Sequence, residues 1–187
     1  MSGVVAGVFG AACLLLLTGG AAKVVDPGRT AGALAALGRP VSQGSVRAGA
    51  ALEAVLGALG LVVGGPVLAA IVALSYLAFT AFVVAALRAD TPVGSCGCVG
   101  AVDTPPSTAH AVSTLALAGG TLAALLAGEG EPLVDAGGPA VAVAVALAAG
   151  AYLLMTRRLL PAFRQRRLRH PPPSAAETSV IARSRSR

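Results

Sequence analysis

Two cysteines one glycine apart, in the string Ser95-Cys96-Gly97-Cys98-Val99-Gly100, are the residues of this chain best suited to chemistry. A disulfide between Cys96 and Cys98 needs a sharp backbone bend, which Gly97 permits. A strained short-loop disulfide is easily reduced, so the pair suits thiol exchange rather than stapling. His110 follows, one turn into a helix expected to begin after Ser107, where an imidazole and a helix N-terminus would both stabilise a thiolate. Read structurally, the same string is two small residues in a tight glycine-rich turn. Together with Asp103, residues Cys96, Cys98 and His110 would offer ligands to copper or zinc, without the second cysteine pair or close histidine pair that such sites usually have. Cys13 falls in the middle of an apolar run and reads as a buried inert thiol.

Charge inside apolar sequence is the second signal. Glu53 stands about seven residues, or roughly 10 Å, inside an apolar segment, where an unpaired carboxylate would be costly. Lys23 ends the preceding apolar segment on the same expected side and could reach Glu53 by lying along its helix. Structurally this is an ion pair locking two helices together; functionally it is a proton or quinone site.

The elements that must position these residues follow from composition. Of 187 residues, 56 % are hydrophobic and only 12 % charged, half the share a soluble domain carries. Three cysteines are too few for a disulfide-stapled secreted domain. The chain therefore reads as an all-α, polytopic transmembrane bundle of four to five spans. Expected spans run Val4 to Ala22, about Val46 to Val63, Pro66 to Leu87, about Thr108 to Ala127, and Pro139 to Met155, the last being the shortest. The first span lacks the basic n-region of a signal peptide and exceeds the usual apolar length, so it reads as a retained helix. Gly64-Gly65-Pro66 predicts a tight hairpin between the second and third spans, and Ser107 predicts a helix N-cap. Small residues at Gly3 and Gly7, Ala50 and Ala54, and Gly60 and Gly64 would let helices pack closely, in a compact bundle or a homodimer. No phosphate loop, nucleophile elbow or zinc-protease motif occurs.

The formal net charge of +6 divides sharply along the chain. Arg157 to Arg187 holds nine basic residues and one acid, a net +8, so residues 1–156, the transmembrane domain, net −2. Residues 157–187 read as a disordered, basic, cytoplasmic tail. From Pro171 onward the tail has no aromatic stacking residue, and with no recognisable nucleic-acid fold its charge is an orientation signal and not a nucleic-acid footprint. Five spans with the C-terminus inside place every basic connection in the cytoplasm of a cell with a multi-pass inner membrane protein. That topology also puts Cys96 and Cys98 inside. A fifth segment that failed to cross would move them outside, and a connection dipping into the interface would bring them within reach of a quinone.

Three strings in order resemble the methylamine utilisation protein MauE family of DoxX-like small membrane proteins. They are Gly19-Gly20-Ala21-Ala22-Lys23-Val24-Val25-Asp26-Pro27, Leu52-Glu53-Ala54-Val55-Leu56-Gly57 and Cys96-Gly97-Cys98-Val99-Gly100, spread over roughly residues 3–127. Val99 departs from the Phe usual after the second cysteine. The resemblance implies a role in maturing a disulfide-rich extracytoplasmic enzyme subunit such as that of methylamine dehydrogenase, or a related pathway with a thioredoxin-like partner. It makes Cys96 and Cys98 the redox pair of a thiol-disulfide oxidoreductase and leaves Lys23 and Glu53 as pattern residues without a role. A non-enzymatic scaffold or transport-associated subunit, with a structural Cys-Gly-Cys turn, and a copper- or zinc-handling protein are the other readings.

Overall fold

A computed structural model describes residues 2–89, 106–128 and 137–157, together with Pro132, Leu133 and Asp135. The described residues form six helices and no strand: α1 (Ser2–Val25), α2 (Gly28–Ala36), α3 (Gln43–Val62), α4 (Pro66–Arg88), α5 (Thr108–Leu126) and α6 (Gly137–Arg157). α1, α3, α4 and α5 are long and apolar enough to cross a membrane. α6 has 21 residues, two more at each end than the expected fifth segment. The readings placed on Cys96, Cys98, Asp103 and residues 158–187 lie outside the described residues.

Helix ends fall where local chemistry puts them. The Ser42 and Ser107 side chains cap α3 and α5 by accepting from the backbone N–H groups of Ser45 and His110. α4 begins with Pro66 in its first turn, directly after Gly64 and Gly65 at φ 62° and 94°, a bend that favours residues without a Cβ. α2 was not expected from the sequence, because nine residues are too few to register as a span. It ends at Gly38, where the Gly38 and Arg39 N–H groups return to the carbonyls of Ala35 and Leu34 at 2.9 Å each. That is a Schellman closure, and it satisfies carbonyls the helix would otherwise leave bare. Ala33 then seats α2 against Ala86 and Phe82 of α4.

α1 is the centre of the bundle, with 56 % of its span buried inside the protein against 22 to 33 % for the other three. Phe9, Cys13 and Leu16 on α1 pack with Val72 and Tyr76 of α4 and Leu117 of α5. The tight turn joins α3 to α4 as expected, but α3's closest approach is to α1. A Cβ added at Gly57 would lie 2.6 Å from the Leu17 nitrogen, and one at Gly20 would lie 2.7 Å from the Ala50 carbonyl oxygen. Backbones this close gain dispersion contacts that larger side chains would prevent, which matters in lipid because no hydrophobic force drives apolar helices together. Gly3 meets nothing nearby, whereas Gly7 receives Val143 of α6.

Polar groups tie the remaining helices. The Tyr76 hydroxyl donates to the Ala12 carbonyl at 2.7 Å, joining α4 to α1, and the hydroxyls of Thr80 and Thr114 lie 2.8 Å apart between α4 and α5. Pairing of residue 20 with 50 and of 17 with 57 makes α1 and α3 antiparallel. The C-terminal end of α1, the N-terminal ends of α3 and α5 and the C-terminal end of α4 therefore share one end of the bundle, with α2.

Candidate functional site

Lys23 comes from the last turn of α1 and Glu53 from the middle of α3, and the antiparallel packing sets them side by side. Lys23 Nζ donates to Glu53 Oε2 at 2.6 Å, and the ammonium also lies 4.5 Å from the centre of the Phe79 ring on α4. Lys23 is only 6 % exposed, so its stem runs back into the bundle and the charge is largely removed from solvent. Such burial is tolerable because the ammonium has both a carboxylate and an aromatic face to replace water. Phe79 is itself held edge-on by Tyr76, with ring centres 5.8 Å apart and planes at 88°. Thus the Tyr76 hydrogen bond to α1 fixes the ring under the ammonium.

Beside the pair is a cavity of about 290 Å³ between α1, α2, α3 and α4. Leu34, Val46, Phe79 and Phe82 make its apolar walls, and Lys23, Glu53, Thr30 and Ser45 also line it. Thr30 Oγ1 is buried and has no hydrogen-bond partner among the described residues. Gly49 lies one turn from both Ser45 and Glu53 on α3 and also borders the cavity; a Cβ there would meet no atom within 4 Å.

His110 occupies a different place, in the first turn of α5, and does not line this cavity. It is 2 % exposed, its Nδ1 shares a 2.8 Å hydrogen bond with Ser107 Oγ, and its Nε2 is buried without a partner among the described residues. Its carbonyl accepts from Thr114 Oγ1 at 2.9 Å. The described residues that flank the Cys96 and Cys98 segment, Ala89 after α4 and Pro106 before α5, lie at the bundle end that also carries Lys23 and Glu53. Cys13 is fully buried in the core with a free thiol. No group of three or more metal-ligating side chains occurs among the described residues.

The sequence reading brought Lys23 and Glu53 together and missed Thr30, Gly49, Phe79 and Phe82. The i, i+4 spacing of Ser45, Gly49 and Glu53 could have marked one wall, and Phe79 with Phe82 at i, i+3 another. Thr30 belongs to the unexpected α2 and carried no signal.

A central helix zipped to its neighbours by glycine contacts, with a lysine-glutamate pair near one end, defines a small multi-pass helical membrane protein. The family model of methylamine utilisation protein MauE matches residues 1–128, and the chain belongs to that family. The match takes in α1 to α5, the Lys23 and Glu53 pair, and Cys96 and Cys98. No curated protein and no solved structure matches the chain.

Proposed function

We propose that this protein is a membrane-embedded accessory factor of thiol-disulfide chemistry, with Cys96 and Cys98 as its exchanging pair, that helps mature a disulfide-rich extracytoplasmic enzyme subunit. The observation that carries the reading is membership of the MauE family over a stretch that includes the Cys-Gly-Cys string. In the exchange, a thiolate of the client attacks the Cys96 to Cys98 disulfide, a mixed disulfide forms, and the client's second thiolate displaces the protein's sulfur. The client ends oxidised and Cys96 and Cys98 end as a dithiol, so two electrons and two protons must then pass to a partner disulfide or a lipid-soluble quinone. Cys13 is buried in the core and unsuited to relay them.

Expression of Cys98→Ser, followed by non-reducing electrophoresis, tests the reading. A thiol-dependent adduct with a partner protein is expected, absent in the Cys96→Ser/Cys98→Ser double variant. No adduct, with the wild-type pair fully reduced in cells, overturns it.

A second reading is favoured by the Lys23 contacts: a non-enzymatic scaffold in which the ion pair locks α1 to α3 and the Cys-Gly-Cys turn is structural. It requires Cys96→Ala/Cys98→Ala to retain function while loss of Glu53 disrupts assembly.

A further inference from the structure

The cavity beside Lys23 combines three features that a purely structural ion pair does not need. First, it is an open volume of about 290 Å³, room for a substituted six-membered ring. Second, it holds unused hydrogen-bonding capacity. Lys23 keeps N–H donors beyond the one given to Glu53. Third, Gly49 leaves one wall open between Ser45 and Glu53, on an α3 surface whose neighbours Leu52 and Val55 are exposed as lipid-facing residues are.

The polar groups define the occupant. Lys23 and Glu53 together carry no net charge, so an anionic or cationic ligand would have to displace one of them and leave the other unpaired. A neutral molecule avoids that cost. Lys23 can donate to a carbonyl oxygen, Glu53 can accept from a hydroxyl, and Phe79 and Phe82 offer apolar ring surface. We infer that this cavity binds the head of a lipid-soluble quinone, reached from the bilayer past Gly49, with a carbonyl oxygen towards Lys23. In the reduced form the hydroquinol O–H groups donate to Glu53. The site stands on Lys23, Gly49, Glu53 and Phe79, and deepens the thiol reading by naming an acceptor: quinone and two thiols give hydroquinol and one disulfide, with atoms and electrons balanced.

Photolabelling of the full-length protein tests this, using an azido-benzoquinone probe in nanodiscs of phosphatidylethanolamine and phosphatidylglycerol, with labelled peptides mapped by mass spectrometry. Saturable labelling of α3 or α4 is expected, suppressed by excess decyl-benzoquinone and unaffected by added phosphatidylglycerol. Gly49→Leu replaces glycine with a better helix former where no neighbour obstructs it, so it folds while filling the opening. Apparent affinity is expected to fall by about tenfold or more in Gly49→Leu, with monodisperse elution and helical circular dichroism retained. Labelling that does not saturate, that Gly49→Leu leaves unchanged, or that phosphatidylglycerol suppresses equally well overturns the inference, the last result assigning the cavity to ordinary lipid. The readout does not involve Cys96 or Cys98, so this failure and failure of the thiol adduct are separate results.

Discussion

Gly57 lies against Leu17 so closely that a single added carbon at position 57 would stand 2.6 Å from the Leu17 backbone nitrogen and 2.7 Å from the Cys13 carbonyl oxygen. Neither of those atoms can swing aside as a flexible side chain could. Gly57→Ala should therefore force α1 and α3 apart and cost about 1–3 kcal/mol, measured by unfolding in mixed micelles of increasing dodecyl sulfate. Gly119→Ala is the matched control, because a Cβ there meets nothing within 4 Å. Equal stability of the two variants would refute the close approach.

The Lys23 and Glu53 pair gives a second prediction. Glu53→Leu leaves a buried ammonium with only the Phe79 face, and should lose about 1–3 kcal/mol. Adding Lys23→Met removes the stranded charge, and the double variant should regain most of that loss. A double variant no more stable than Glu53→Leu would mean that the pair does not act as a unit.

Ser107 serves two partners, the N–H of His110 and the His110 ring. Ser107→Ala removes both contacts and should cost about 1 kcal/mol, the usual worth of a helix cap. It should also shift the Nδ1 resonance of His110 in a histidine-labelled nitrogen spectrum. An unmoved resonance would show that the ring is held by something else.

Much of the architecture was legible because membrane helices announce themselves by length and apolarity. Pro66 and Ser107 marked two starts to the residue, since the missing N–H of one and the hydroxyl of the other suit a first turn and a cap. Partner choice was not legible. Gly57 and Gly60 are as small as Gly119, yet only the first two face α1, and the face a glycine presents to a neighbour is set by helix rotation in the assembled bundle. Lys23 and Glu53 were readable as a pair because charge in apolar sequence demands compensation. Thr30 was not, because its place in the cavity lining comes from how α2 seats on the bundle, a property of the packing and not of the residue type.

The burial of α1 bears on the order in which the molecule is made. α1 leaves the ribosome before α3 to α6, which converge on it, so its grooves wait unfilled while synthesis continues. Gly20 is covered when α3 arrives, Val8 meets Gly120 only once α5 is in place, and Gly7 and Gly10 are met last, by α6 with Leu133 before it. α1 is thus a scaffold for co-translational assembly, and its exposed glycine face is the part of the nascent chain most open to mispairing with another newly inserted helix.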